Sequence, residues 1–421
     1  MTSLNQQNVI NSRLFAALCL GFSSGLPLAL TSSTLQAWFT ESGINLLTIG
    51  FVSFVGLPYV LKFMWAPLMD HFFIPRLGRR RGWVLLTQFA VALALFALAT
   101  MQPNTQTQSM LWMALLVAFL AASQDVSIDA YRTDLLLPKE RGLGAAYFVF
   151  AFRVATLVSG GLALLCAQYL GWKITYQIMA LIMLLSMFPT YIAPTLVEPK
   201  PLPNLLQNIN AALRDLLRRD NIVITLFFIC LYKFGCALAM SLNTTFLLRG
   251  LGFSLAEVGV ASKSVIFLAV VLGAFVGGLM LTKWNLYRGL IIFGFLQAVA
   301  ILAFAVLAFS YQAMMIDATQ KFMLMAVALF LENFFSGMGT AAFFAFLMSL
   351  CQQRYSATQY ALFSALDALP RVVLGPLAAV LVTQVGWTEF YIWAFLLSFP
   401  GLVLLMFLKQ KVLYGEHATA S

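Results

Sequence analysis

Met110-Leu111-Trp112-Met113-Ala114-Leu115-Leu116-Val117-Ala118-Phe119-Leu120-Ala121-Ala122-Ser123-Gln124-Asp125-Val126-Ser127-Ile128-Asp129-Ala130-Tyr131-Arg132-Thr133-Asp134 opens as an apolar run and closes on three acids and an arginine. Its length suits a helix crossing a bilayer, which takes about 20 residues. Asp125 and Asp129 stand four apart, so both carboxylates lie on one helix face. A carboxylate at bilayer depth costs roughly 2.5–3.5 kcal/mol. Either that face lines a wet cavity, or Asp129 pairs with Arg132 or a basic neighbour and fastens helices together. In the first case the acids form a candidate proton acceptor, because neighbouring carboxylates titrate as a pair.

The rest of the chain agrees with a membrane setting. Its 421 residues are 62% hydrophobic and only 10% charged, whereas a soluble domain is about a quarter charged. The net charge of +10 would suggest nucleic acid in a soluble protein; here it raises the question of which loops hold the excess, and no nucleic-acid partner is expected. Cys19, Cys166, Cys230, Cys236 and Cys351 fall in or beside apolar runs without metal-ligand spacing, so they read as small packing residues rather than disulfides. The first apolar segment lacks a cleavage site and reads as a retained helix.

About twelve spans are expected: near 13–39, 48–69, 83–101, 110–134, 142–169, 174–194, 222–248, 256–281, 289–309, 320–350, 357–384 and 388–408. The second and sixth are interrupted by Pro58, Pro67 and Pro189, and the tenth carries charge. With the amino terminus in the cytoplasm, that side receives Arg13, Arg76, Arg79, Arg80, Arg81, Arg132, Lys139, Arg141, Lys200, Arg214, Arg218, Arg219, Lys283, Arg288, Arg354, Lys409 and Lys411. The other side receives Lys173, Arg249 and Lys321, so both termini are expected to be cytoplasmic. Between the sixth and seventh spans, Glu198-Pro199-Lys200-Pro201-Leu202-Pro203 excludes helix. Leu205, Leu206, Ile209, Leu213, Leu216 and Leu217 then recur at helical spacing beside basic residues, which predicts an amphipathic helix on the membrane surface.

The halves repeat. Ser159-Gly160-Gly161-Leu162-Ala163, Gly171-Trp172 and Tyr176 return as Leu374-Gly375-Pro376-Leu377-Ala378, Gly386-Trp387 and Tyr391 at a constant offset. Arg141 and Tyr147 find counterparts in Arg354 and Tyr360, two residues out of step. Two such halves related by an axis along the membrane normal describe the major facilitator architecture, an all-α polytopic membrane fold. The expected domains are a six-helix bundle over 1–195, a cytoplasmic linker over 196–221, a second bundle over 222–408 and a cytoplasmic tail over 409–421.

After the second span, Asp70 precedes Gly78-Arg79-Arg80-Arg81-Gly82-Trp83. An acid at a helix end followed by Gly-Arg-Arg resembles the facilitator inside-loop signature, with a longer interval between Asp70 and Gly78. Asp70, Gly78, Arg79 and Arg80 are therefore the expected gating latch, with Asp70 pairing to a loop arginine or a helix end; the alternative is that the arginines set topology alone. Gly21-Phe22-Ser23-Ser24-Gly25-Leu26-Pro27-Leu28-Ala29-Leu30-Thr31, Leu35-Gln36-Ala37-Trp38, Lys62-Phe63-Met64-Trp65-Ala66-Pro67-Leu68-Met69-Asp70, Ser123-Gln124-Asp125, Asp129-Ala130 and Glu140-Arg141-Gly142 resemble the AmpG muropeptide permease family. The likeness is strong over the first half and thinner over Ile222–Leu408. It implies an inner-membrane importer of N-acetylglucosaminyl-anhydromuramyl peptides, driven by protons. Peptidoglycan recycling and β-lactamase induction are the processes that go with it.

The residues bear on that expectation independently. Lys62, Arg153, Lys233, Lys263, Glu332, Asp367 and Arg371 join Asp125 and Asp129 within the spans. Facing lipid, these charges would cost on the order of 25 kcal/mol together, so they face each other or water. The basic surplus suits a cargo with several carboxylates; the alternative is structural pairing with Glu332 or Asp367. Glu332, on the counterpart of the fourth span, is either a further proton site with Asp125 and Asp129 or a salt-bridge partner. Gln36, Tyr59, Gln124, Tyr147, Tyr232, Asn243 and Asn333, together with Lys62, Arg153, Lys233, Lys263 and Arg371, form the expected substrate-binding set. Trp65 is a further available aromatic, and Trp38 reads as an interface anchor. Gly21 and Gly25 suit close helix contact, and Pro27 suits a kink.

Three readings follow: a proton-coupled importer working by alternating access, the same fold with another anionic cargo or with drug export, and a membrane-embedded transferase. His71 and His417 are the only histidines and no catalytic triad or metal set assembles, which disfavours an enzyme. The expected partners are the bilayer and an amphiphilic sugar-peptide, the expected state is a monomer, and no cofactor is expected beyond the proton gradient.

Overall fold

The computed structural model describes residues 2–44, 52–72, 78–196, 204–253, 265–314 and 317–409. The elements among the described residues are all helices, as expected from the sequence. The elements are α1 (Ser12–Glu41), α2 (Phe54–Met64), α3 (Ala66–His71), α4 (Arg79–Ala99), α5 (Pro103–Leu135), α6 (Pro138–Leu170) and α7 (Trp172–Ile192). They continue as α8 (Leu205–Leu217), α9 (Ile222–Ser241), α10 (Phe267–Lys283), α11 (Leu286–Gln312), α12 (Ala318–Ser349), α13 (Ser356–Leu396) and α14 (Phe399–Phe407). Among the described residues nine helical stretches are long and apolar enough to cross a membrane, and α2 and α10 are shorter apolar helices at the second and eighth expected spans. The eleventh span is the first limb of α13, which turns at Gly386.

Sequence punctuation explains the breaks. The second span falls into 3₁₀ and α pieces around Pro58 and Pro67, where missing amide donors stop the ladder. The sixth is interrupted at Ser186, three residues before Pro189, whereas the tenth runs unbroken as α12. Pro27 lies within α1, which breaks four residues later at Thr31–Ser32 before resuming. A proline in a helix also strips the carbonyl four residues back of its partner. Here that carbonyl belongs to Ser23, and the Gln124 side-chain amide of α5 donates to it at 2.8 Å.

Packing divides the chain into two units. The first comprises Met1–Leu137, Tyr147–Asp215 and Leu350–Leu362; the second comprises Pro138–Ala146, Leu216–Ser349 and Phe363–Ser421. Each unit thus takes a short segment from beyond its main stretch of sequence. In the first, Leu30, Phe39, Val91, Leu95, Val117, Tyr176 and Met183 form the core. A Cβ on Gly21 or Gly25 of α1 would stand 2.5 Å from the carbonyl oxygens of Phe148 and Phe152 on α6, which confirms the close contact their spacing predicts. Trp38 is not an interface anchor: it is buried, stacked on Trp172 at 5.6 Å and tilted against Tyr176. Trp172 and Tyr176 of α7 supply the aromatic contacts that bury the ring.

In the second unit Phe246, Ile301, Phe304, Met325, Leu329, Phe390 and Tyr391 form the core. Gly171 and Gly386 share φ of +81° with extended ψ, a conformation that favours glycine. Each is followed by a tryptophan and, five residues on, by a tyrosine buried in its unit's core. The sequence repeat is therefore a structural repeat. All five cysteines are free thiols.

Candidate functional site

The acids of α5 keep different company. Asp129 accepts from Arg132 at 2.9 Å and from Lys62 of α2 at 3.3 Å, so two buried cations converge on one carboxylate. Asp125, one turn earlier, accepts from the Ser24 hydroxyl of α1 and, among the described residues, makes no ion pair. Tyr59 is half-buried in the middle of the same α2 stretch. Trp65 donates its indole N–H to Ser123 at 3.0 Å. Helix periodicity stacks Asp125 and Asp129, but only the neighbouring helices separate them into a doubly paired acid and one held by a hydroxyl.

The expected latch residues assemble around a helix end. Asp70 is 2% exposed. Its carboxylate accepts from Arg80 at 2.8 Å, from the backbone amide of Thr358 at 2.7 Å, from the Ala357 amide at 3.3 Å and from the Thr358 hydroxyl. A carboxylate at the first turn of a helix meets unpaired N–H groups and the positive end of the helix dipole. Arg80 also donates to Asp134 at 3.0 Å and to the Ser356 hydroxyl at 2.6 Å. Arg79 takes the carbonyls of Asp70, Arg354 and Gln353. Gly78, with φ of +82°, starts α4 and turns both arginines toward this segment. Asp70 thus engages a loop arginine and a helix end at once. Everything in this cluster belongs to the first unit.

The remaining expected residues scatter in role. Gln124 is fully buried, serving the carbonyl freed by Pro27. Gln36 is half-buried, Tyr147 is half-buried on α6, and Arg153 is exposed on α6, five residues before a π-helical turn at Val158–Leu162. In the second unit α9 is interrupted at Tyr232–Lys233. Tyr232 gives its hydroxyl to the Leu290 carbonyl and stacks on Phe343, which makes it a packing residue. Lys233, at the break, donates to the Thr340 hydroxyl at 2.8 Å and lies over the Phe343 ring. Glu332 is 1% exposed and accepts from the Cys236 thiol at 2.9 Å; among the described residues it forms no salt bridge. Arg371 pairs with Asp367 one turn back on its own helix. Asn333 donates to the Leu329 carbonyl, and Asn243 begins a short helix beyond α9. Lys263 lies outside the described residues, as do the loop residues 73–77.

The sequence profile of the Major Facilitator Superfamily matches residues 14–374. The chain is 46% identical over 400 residues to the anhydromuropeptide permease of Escherichia coli K12, covering 94% of this chain and 80% of that protein. The chain belongs to the anhydromuropeptide permease family. That family membership makes it a membrane transporter, not an enzyme. A putative transporter AmpG 4 of Rickettsia conorii is 31% identical over 411 residues, covering 95% and 97% of the two chains. Two solved structures share the fold at low identity. The human organic anion transporter MFSD10 has a TM-score of 0.67 at 16% identity, covering 95% of this chain and 99% of that one. The proton:xylose symporter XylE has 0.65 at 12%, covering 96% and 95%.

For a permease of this family, several residues around these clusters carry little signal in the sequence. Ser24 lay in the motif stretch of α1 but carried no charge to mark it. Asp134 closed the opening stretch without a role. Ser356 and Thr358 stand at a helix start after a loop, a common N-terminal signature that could have suggested a receptor for Asp70. Tyr360 was visible only as the repeat partner of Tyr147. Asp215 of α8, which accepts from Gln352 at 2.6 Å and Gln359 at 2.8 Å, had no sequence signal.

Proposed function

We propose that this permease imports anhydro-muropeptides across the bacterial inner membrane by proton-coupled alternating access, with both termini in the cytoplasm, as a step in peptidoglycan recycling and β-lactamase induction. Extensive identity to a protein named anhydromuropeptide permease supports the cargo. The observation that carries the coupling is Asp125: a carboxyl group in a membrane-spanning helix held by a serine hydroxyl and by no salt bridge among the described residues, one turn from an acid held by two cations. An acid that makes no ion pair among the described residues is suited to gaining and losing a proton in a transport cycle, whereas Asp129 serves chiefly to fix Lys62 and Arg132. Glu332 is the corresponding candidate in the second unit.

Arg153 and Lys233 are the substrate cations this reading favours. Arg153 is exposed within its span, and Lys233 stands at a helix interruption beside aromatic rings, a type of break that discontinuous transporter helices use for binding. Arg371, already paired to Asp367, is a weaker candidate. Asp70, Arg79 and Arg80 act as a latch that holds Leu350–Leu362 in one conformational state. The test is uptake of radiolabelled anhydro-muropeptide into proteoliposomes with and without an imposed pH gradient, competed by other anionic cargoes. Gradient-driven accumulation is expected; uptake indifferent to the gradient would reject proton coupling, and uptake suppressed by unrelated anions would reject the cargo.

A further inference from the structure

Helix α8 joins α7 to α9, both long and apolar enough to cross a membrane, and its side chains fall into separate edges. Ala212 and Leu216 form the buried face. On one flank of that face Asp215 accepts from the side-chain amides of Gln352 and Gln359 at 2.6 and 2.8 Å, which fastens the helix to the Leu350–Leu362 segment within the first unit. On the other flank Leu213 and Leu217, one turn apart, are 41% and 67% exposed. At about 100° per residue, Arg214 comes next round the helix after these leucines, and Arg218, just past the helix end, continues its row. Both arginines are exposed, and among the described residues neither guanidinium forms an ion pair or a hydrogen bond. The nearby acids are Asp215, turned toward the glutamines, and Asp220, exposed beyond the helix end.

We propose that this outer edge of α8 is a binding surface for anionic phospholipid, with Leu213 and Leu217 at the acyl boundary and Arg214 and Arg218 on the headgroup phosphates. The length of the connection carries the placement. Helix α9 begins at Ile222, five residues after Leu217, and five residues reach at most about 18 Å. The leucine edge is thus tethered within reach of the bilayer surface, where two exposed leucines find apolar cover that water does not give. A row of apolar side chains beside a row of cations is how an interfacial helix lies in the headgroup plane. The charges decide the kind of lipid. A guanidinium fork matches a phosphate oxygen pair, and an anionic surface attracts such cations where a zwitterionic one does not. With Asp215 facing the glutamines, no acid of α8 lies in the arginine row to neutralise it. The inference rests on the membrane-spanning character of the chain and is independent of its cargo.

Amide hydrogen exchange, read by mass spectrometry over α8 in the full-length protein, tests this. The protein is compared in nanodiscs of phosphatidylcholine alone and of phosphatidylcholine with phosphatidylglycerol. One arginine near an anionic surface is worth about fivefold in an equilibrium, so exchange over α8 is expected to slow by up to about 25-fold with phosphatidylglycerol present. Arg214→Gln and Arg218→Gln are each expected to remove about fivefold of that effect. Together they are expected to abolish it while leaving exchange in phosphatidylcholine unchanged. Molar salt, which shortens screening to about 3 Å, is expected to do the same to the wild type. Exchange over α11 reports whether each variant is folded; should the double variant not fold, the wild type with and without phosphatidylglycerol and salt still decides. Equal exchange in the two compositions, or a phosphatidylglycerol effect that survives loss of both arginines, would overturn the proposal. So would protection of α8 that rises with protein concentration in lipid-free detergent, which would assign this edge to a second copy of the chain.

Discussion

Asp125 and Asp129 occupy successive turns of α5, yet one is held by the Ser24 hydroxyl and the other by Lys62 and Arg132. The same residue type on the same helix face therefore has two physical roles. Two buried cations fix the Asp129 carboxylate, whereas Asp125 is held by a hydroxyl and, among the described residues, makes no ion pair.

Asp125→Asn is expected to keep cargo exchange across the membrane while abolishing accumulation against a gradient, because the amide preserves shape and hydrogen bonding but no longer titrates. Counterflow and pH-driven uptake in the same proteoliposomes separate the two effects. Equal accumulation in variant and wild type would remove Asp125 from the mechanism.

Asp129→Asn acts first on stability. Breaking a buried ion pair by removing one partner costs about 3–5 kcal/mol, and here Lys62 and Arg132 would both lose their anion. A lower melting temperature in detergent is expected, partly restored by adding Lys62→Met, which removes one stranded cation.

Ser24 tests the hydroxyl itself. A hydrogen bond to a charged group contributes about 1.5–3 kcal/mol, so Ser24→Ala is expected to slow gradient-driven uptake by about tenfold or more. Ser24→Thr keeps the hydroxyl and is expected to transport nearer the wild-type rate. If alanine and threonine behave alike, the contact with Asp125 is incidental.

Two glycines form an internal control on packing. A Cβ on Gly25 meets the Phe152 carbonyl at 2.5 Å, whereas one on Gly161 meets nothing within 4 Å. Gly25→Ala is expected to destabilise by about 1–3 kcal/mol through overpacking, with Gly161→Ala within about 0.5 kcal/mol of wild type. Thermal melts of the two purified variants decide this.

The Asp70 grip divides into its parts. Asp70→Ala removes one of the two carboxylates that hold the buried Arg80 and is expected to cost about 3–5 kcal/mol. Thr358→Val removes one hydroxyl donor while leaving the backbone amides in place, and about 1–3 kcal/mol is expected. Melting temperatures in that order support the assignment; the reverse order would shift the weight of the grip to the hydroxyl.

The sequence by itself determined the membrane-spanning class, the positions of the long apolar helices, the duplicated Gly-Trp turn and the residue types of the Asp70–Arg80 ion pair. These follow from run length, composition and spacing along one chain, which hydrophobic thickness and backbone geometry convert directly into structure. Only the tertiary structure decided that Asp70 is received by the amides of Ala357 and Thr358, that Trp38 is buried against Trp172, that Gln124 serves the carbonyl Pro27 leaves bare, and that Asp125 and Asp129 part company. Helical periodicity tells which residues share a face, but which side chains meet that face depends on other helices, brought there from up to hundreds of residues away in the chain.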